Sequence, residues 1–327
     1  MAPPGAAPAR RAVPPLRSVL FAAGSDSAEL RSFLSSEADA LIVDLEEPQT
    51  PMNEAVRERA RRNVAEFLDS LPAFDAGAAP GAVARPLVFC RVQPARTGGL
   101  WPDLMACLRP ALAGIVLPKS YGPDDVVAAD GVLVNAEAER GVALGSTLLY
   151  PIFETAEAIR VAYDIAMASP RIAYMGGAVS RFGDIHQALG YRWTPTGGET
   201  HWLRSKLLVD ARAAGVRYPI SGMWGGANDD LAGLRAFATE LRDLGYYGMM
   251  LGNPDHVPIV HEIFSPAAAD VAYWSELVRL GDDAQRTGVG PVLYGDVNAG
   301  EGHVVHGAHV ESARLNLQWA TDLGSSG

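Results

Sequence analysis

The sequence predicts a (β/α)8 TIM barrel carrying a C-terminal helical extension or lid. Eight short β-branched or apolar runs alternate with amphipathic segments. These units occupy about 235 residues, the usual span of a closed barrel. Polar residues stand at or just past the ends of the runs, where barrel enzymes draw catalytic groups from many strands. A doubly wound open sheet is the alternative, and it does not call for site residues from so many strand ends.

The runs are SVLFAA (18–23), ALIVDL (40–45), PLVFCRV (86–92), GIVLP (114–118), LLYPIF (148–153), IAYMGG (172–177), YPISGM (218–223) and YGMMLG (247–252). Residues 53–71, 154–168, 201–214 and 228–244 have helical periodicity between them. The barrel is expected over residues 16–265, with an extension and lid over 266–327. That tail holds helical segments at 266–280 and 308–321 around a Gly-rich stretch, GVGPVLYGDVNAGEG. Residues 1–15 are Ala/Pro-rich without a continuous apolar core, which predicts a disordered leader rather than a secretory signal.

Composition narrows the function. With 48% hydrophobic and 20% charged residues, the 327-residue chain can bury a full core. Its net charge of −11, without a Lys/Arg cluster, opposes binding to nucleic acid or anionic membranes. No apolar stretch approaches the roughly 20 residues of a membrane span. Cys90 and Cys107 lack disulfide-framework or zinc spacing, so a reducing cytoplasm is the expected location.

The polar residues at the run ends are Asp44, Glu46 and Glu47, then Arg91, Lys119, Glu154, Asp184 and Asn253. Glu154 and Asp184 follow consecutive strands, so adjacent barrel strands would bring them together. Two carboxylates with open positions suit Mg2+, which usually leaves several sites to water and substrate oxygens. Their competing reading is a preference for helix N-termini. Arg91 would rise from a strand end to grip a substrate carboxylate in bidentate fashion, or else pair with Asp44 or Glu46. Asp44, Glu46 and Glu47 are expected either to bind waters of the metal and orient Arg91 or to serve helix entry. Lys119 is read as an electrostatic or ion-pairing group in preference to a Schiff-base lysine. The aromatic residues of YRWTP (191–195) and MWGG (223–226) are candidates for a pocket wall, with packing as the default. His303 and His306 form a weak pair.

Taken in order, these motifs resemble the HpcH/HpaI aldolase and citrate lyase beta-subunit family, whose citrate-lyase-like branch includes malyl-CoA and citramalyl-CoA lyases. RSVLFAAG (17–24), ADALIVDLEEPQTP (38–51), CRVQP (90–94) and GIVLPKS (114–120) resemble that branch's first four strand segments. IFETAEAI (152–159) and GDIHQALG (183–190) resemble its Glu-Thr-Ala metal strand and its metal loop. The resemblance implies Mg2+-dependent cleavage or formation of a carbon–carbon bond beside a thioester carbonyl. Glu154 and Asp184 would be the ligands; Arg91, Arg17 and Lys119 would bind substrate, with Asp44 and Glu46 assisting catalysis. It also implies a small oxo-acid and an acyl-CoA as partners, and a homo-oligomer, trimer or hexamer.

The chain departs from the family pattern at four places. Asn253 replaces a His, and Asn53 and Glu54 stand where relatives carry acidic and basic residues respectively. His306 occupies the place of the acid/base Asp that coenzyme A lyases of the family supply to a neighbouring subunit. Histidine can do the same proton chemistry. Two alternatives therefore stay open: an oxo-acid aldolase that works without coenzyme A, and a binding subunit that has lost its acid/base group.

Overall fold

The computed structural model describes residues 9–50, 52–288, 290, 292–295 and 302–324. The chain divides into two compact units, the first made of Met1–Ala12, Leu16–Ala78 and Val83–Phe264, the second of Val13–Pro15, Ala79–Ala82 and Ser265–Gly327.

In the first unit all eight expected runs form parallel strands: β1 (Ser18–Ala23), β2 (Ala40–Asp44), β3 (Leu87–Arg91), β4 (Leu112–Leu117), β5 (Leu148–Phe153), β6 (Gly176–Gly177), β7 (Ile220–Met223) and β8 (Gly248–Leu251). Their ladder runs β6-β5-β4-β3-β2-β1-β8-β7. The seam between β6 and β7 is bridged by two backbone bonds, Ile220 N–H to the Met175 carbonyl (3.0 Å) and Met223 N–H to that of Val179 (3.3 Å). The sheet is thus a nearly closed barrel. β6 is shorter than its run because the pairing of 172–177 with β5 is interrupted, leaving an isolated bridge between Ile172 and Leu149.

Among the described residues ten α-helices belong to this unit: α1 (Ser27–Phe33), α2 (Glu54–Asp69), α3 (Leu100–Cys107), α4 (Pro123–Arg140), α5 (Ala156–Arg160), α6 (Ala162–Met167), α7 (Asp184–Leu189), α8 (His201–Ala213), α9 (Leu231–Leu244) and α10 (Val257–Ile263). Covered by helices, β4 and β5 are buried along their length, as their all-apolar runs require, while β1, β3 and β7 become partly exposed toward their C-terminal ends. Asn53, Thr155 and Asp230 cap α2, α5 and α9 through side-chain oxygens, so each turn from strand to helix is written into the sequence. The helix expected over 154–168 is two, because Val161 leaves helical geometry at φ −116°. Phe89, Tyr150 and Tyr174 form a buried aromatic trio with centroids 5.7–5.9 Å apart.

The expectation of a disordered leader over residues 1–15 requires correction within the described part. The guanidinium of Arg10 donates to the carbonyls of Ala166, Ser169, Ile172 and Ala214, and Arg11 donates to that of Ser146. Orphan carbonyls near the end of α6 and after α8 attract this cation, which composition alone does not reveal. Residues 1–8 lie outside the described residues.

The second unit holds α11 (Ala268–Thr287), α12 (Gly307–Leu323) and an antiparallel pair, β9 (Val292–Tyr294) with β10 (His303–Val305). Leu277, Val305, Val310 and Ala313 form its small core, joined by Tyr273, Trp274 and Tyr294. Much of the expected Gly-rich stretch lies outside the described residues. Among the described residues no helix is long and apolar enough to cross a membrane. Cys90 and Cys107 are buried and unbridged.

Candidate active site

Register builds the site. Asp44 and Arg91 are paired residues at the ends of β2 and β3. Arg91 Nε donates to Asp44 Oδ1 at 2.8 Å and Nη2 to Oδ2 at 2.6 Å, a bidentate pair. Its Nη1 lies 3.1 Å from Glu46 Oε2. The ion-pair reading of Arg91 is therefore what the structure shows, while the same side chain also lines the cavity described below. Asp44 additionally accepts from the Glu46 N–H, which turns the chain after β2.

Lys119, two residues past β4, extends its Nζ to Glu46 (2.7 Å), Glu47 (2.8 Å) and Asp184 (3.5 Å). Its backbone lies at φ +47°, an uncommon conformation for a side chain with a Cβ. Its N–H donates to Glu154 Oε1 at 2.7 Å. Glu154 follows β5, and Asp184 opens α7 beyond β6. Ala178, just past β6, also has positive φ, +65°, and the preceding Gly177 has +108°. A Cβ at Gly177 would lie 2.8 Å from the Phe153 backbone nitrogen, so only glycine fits this close approach.

Glu154, Asp184 and Arg91 line one cavity of about 270 Å3. Its other walls include Phe21, Ile152, Val179, Ile185, Met223 and Met250. Five carboxylates (Asp44, Glu46, Glu47, Glu154 and Asp184) surround two cations (Arg91 and Lys119), an excess of negative charge. Burial pushes Glu154 up to about 7, with the charges of Glu46 and Asp184 adding to the effect against Arg91. Glu46 is also raised by burial, although Arg91 and Lys119 oppose this. Glu47 is held low by its bond to Lys119. Lys119 is pushed up: burial works against its charge, and the bonds to Glu46 and Glu47 outweigh burial.

This arrangement fits a divalent cation. Glu154 and Asp184 offer oxygen donors in a region of surplus negative charge, and Mg2+ needs only one or two protein carboxylates. Glu46 Oε2 is buried and lies 3.1 Å from Arg91 Nη1 without hydrogen-bond geometry, which leaves it able to accept from a water or a substrate hydroxyl. Among the described residues no group of three or more His, Cys, Asp and Glu side chains is arranged to hold a metal ion.

The structure does not bring Arg17 to this cavity. Arg17 precedes β1, at the opposite end of the barrel, where its guanidinium grips Asp39 (2.8 Å) beside Arg85; its expected substrate contact is corrected to a structural one. His306 lies in the second unit, exposed ahead of α12, with its N–H donating to His309 Nδ1. Asn253 caps the turn after β8 by accepting from the Asp255 N–H. Trp193 and Trp224 pack edge to face with centroids 5.5 Å apart and do not line the cavity. Sequence reasoning missed Gln93, which donates to the Glu46 carbonyl at 2.7 Å while its own N–H is held by Asp103. An amide two residues past Arg91 in CRVQP was the available signal.

Fold and site together define a (β/α)8-barrel enzyme with its polar groups gathered at the C-terminal ends of the strands. More particularly, residues 17–254 match the HpcH/HpaI aldolase/citrate lyase family, so this chain belongs to that family and with it to the carbon–carbon lyases. The citrate lyase subunit beta of Haemophilus influenzae is 26% identical over 305 residues, covering 93% of this chain and 96% of the relative. The L-malyl-CoA/beta-methylmalyl-CoA lyase of Cereibacter sphaeroides is 27% identical over 326 residues, with 94% and 95% covered. A crystal structure of a citrate lyase from Burkholderia xenovorans superimposes with a TM-score of 0.73 at 18% identity, covering 98% of this chain and 96% of that one. The CitE protein of Mycobacterium tuberculosis, in complex with magnesium, acetoacetate and coenzyme A, gives 0.64 at 21% identity, with 95% and 99% covered. These two structural likenesses concern the fold.

Proposed function

We propose that the chain is a Mg2+-dependent lyase that cleaves or forms a carbon–carbon bond between a small oxo-acid and an acyl-CoA of the malyl, citramalyl or citryl type. The observation that carries this reading is the placement of Glu154 and Asp184 on one cavity wall amid uncompensated negative charge. Family relatives named for citrate lyase and malyl-CoA lyase, and a fold neighbour holding magnesium and coenzyme A, support it. Glu154 and Asp184 would hold the ion, which when bound supplies Lewis-acid polarisation of the oxo-acid oxygen.

The chain's own residues would do the rest. Arg91 has five N–H groups; two are committed to Asp44 and Nη1 faces Glu46 at 3.1 Å, so its fixed plane has further N–H groups to present to a carboxylate in the cavity. Lys119, kept charged by Glu46 and Glu47, would set the positive potential against which negative charge develops beside the thioester carbonyl. Glu46, gripped by both cations, would hold them in place and offer Oε2 to a substrate hydroxyl. His306 is proposed as the acid/base group, acting in a neighbouring copy's site within a homo-oligomer, on the strength of its position in the family's lid segment.

The test is turnover of purified protein with malyl-CoA, citramalyl-CoA and citryl-CoA, with and without Mg2+, and of the free oxo-acids without coenzyme A. Mg2+-dependent release of an oxo-acid from one thioester is expected. Turnover confined to free acids would favour the coenzyme-A-independent aldolase, and Mg2+ binding with no turnover of any substrate would leave a binding subunit.

A further inference from the structure

Resting on that reading of the cavity, we infer that Phe182 and Arg181 form a subsite for a flat aromatic ring carried on the non-reacting arm of the oxo-acid. Phe182 is 83% exposed, and it follows Ser180 and precedes Gly183 and Asp184, all three of which line the cavity. Phe182 is not itself part of the cavity lining, but a phenyl ring held in water on the loop that supplies that lining has apolar surface to offer a ligand.

The ring is held in place. The Arg181 guanidinium carbon lies 4.9 Å from the Phe182 centroid and 5.2 Å from that of Trp193, so a cation sits between two aromatic faces. Arg181 also donates to the Gly225 carbonyl at 3.3 Å. Trp193 in turn packs against Trp224, and Trp224 against Phe237 of α9. A Cβ at Gly225 would lie 2.6 Å from Trp193 Nε1, so the glycine is what lets the indole seat there. This chain of contacts ties the loop before α7 to the loop after β7, and Phe182 projects from a braced support.

Chemistry and reach select the ligand. Val179, Ile185 and Met223 give the cavity apolar wall that offers no hydrogen bonds to a polar arm, and the Ser180 hydroxyl beside them accepts from the Gly183 N–H. Two residues of chain span at most about 7 Å, so Phe182 stands close to Asp184. An acid bound through the Asp184 end of the site therefore places a ring on Phe182 when the ring is only two or three bonds from the oxo-acid group. A nucleobase at the far end of a coenzyme A arm is many bonds further away, and overshoots.

Calorimetry in Mg2+ with phenylpyruvate and pyruvate tests this in the wild type, Phe182→Ala and Phe182→Trp. The wild type is expected to bind phenylpyruvate at least about tenfold tighter than pyruvate. Phe182→Ala should lose at least about fivefold of that preference with pyruvate affinity within about twofold of wild type, while Phe182→Trp retains the preference. Equal affinities in the wild type, or a preference that survives in Phe182→Ala, would overturn the subsite while leaving the lyase reading intact. Failure of either acid to bind in the presence of Mg2+ would remove both. If Phe182→Ala weakens coenzyme A but not pantetheine, and spares phenylpyruvate, the ring is a nucleobase and the assignment to the acid is wrong.

Discussion

The peptide N–H of Lys119 donates to the Glu154 carboxylate at 2.7 Å, and it can do so because Lys119 adopts φ +47° after β4. One uncommon backbone conformation thus orients the proposed metal ligand on the next strand, while the same residue's Nζ reaches Glu46, Glu47 and Asp184. Strain of this kind, of order 1–3 kcal/mol, persists where the surroundings over-determine it.

Glu154→Gln should keep the bond from the Lys119 N–H and lose the charge. Mg2+ affinity is expected to fall by at least about 100-fold, since half of the protein's ligand charge is removed. Stability without metal should move the other way. The carboxyl's pKa is raised by burial from 4.5 to about 7, so the folded state binds a proton more tightly than the unfolded one. Its stability contribution is complete below 4.5 and is lost as pH rises through 7. At pH 8 the substitution should therefore stabilise the metal-free protein by about 1–2 kcal/mol, allowing for water in the cavity. Melting curves at pH 5 and pH 8 check this, and the gain should appear only at the higher pH.

Arg91→Lys should be damaging although charge is retained. A lysine cannot reproduce the two parallel bonds to Asp44 or the fixed plane beside Glu46, and leaves recessed carboxylates poorly paired. Turnover is expected to drop by about 100-fold or more, equivalent to about 3 kcal/mol of transition-state stabilisation. Steady-state kinetics on the best substrate of the wild type provides the measurement. Wild-type values would confine Arg91 to its ion pairs.

Strands were legible because a parallel barrel strand is buried on both faces and reads as a continuous apolar run, as LLYPIF does. Asp44, Arg91, Lys119, Glu154 and Asp184 were legible for the complementary reason: a charged residue at the end of such a run has to face the mouth. Glu47 and Gln93 were harder to read, since their roles depend on which loop folds back onto which. Arg17 misled, because an arginine beside an apolar run looks the same in sequence at either end of a strand. Only the chain direction tells that Arg17 precedes β1, whereas Arg91 ends β3. Arg10 was invisible within an Ala/Pro-rich context, its partners being main-chain carbonyls more than 150 residues away.

Arg10→Ala should destabilise the barrel unit without altering the cavity. The guanidinium satisfies carbonyls of Ala166, Ser169, Ile172 and Ala214, and these would be left to whatever water can reach them. A non-additive loss of about 2–4 kcal/mol is expected, which lowers Tm by roughly 5–10 °C in a domain of this size. Scanning calorimetry measures it. A change below about 1 °C would show that these bonds are replaced by water at no cost.

The final prediction concerns acid stability at the other end of the barrel. His261 Nε2 lies 2.8 Å from Ser18 Oγ and 3.7 Å from Asp39, with Arg17 and Arg85 paired to the same carboxylate. Burial pushes His261 down to about 4, the charges of Arg17 and Arg85 add to this, and Asp39 opposes them without prevailing. An unfolded histidine titrates near 6.5, so below that pH the unfolded state binds a proton that the folded state refuses. Stability should fall as pH drops from about 6.5 to about 4 and lose nothing more from this group below that. Asp39 acts in a different window: burial raises its pKa, but the bond from Arg17 and the charge of Arg85 bring it below the ordinary value, so its contribution is present above about 4 and disappears only at lower pH. His261→Gln, which can still meet the Ser18 hydroxyl, should therefore flatten the urea-unfolding profile between pH 6.5 and 4.5 by about 2 kcal/mol. The steeper loss below pH 4 should remain. Parallel profiles for variant and wild type across the upper window would show that His261 is not the group responsible.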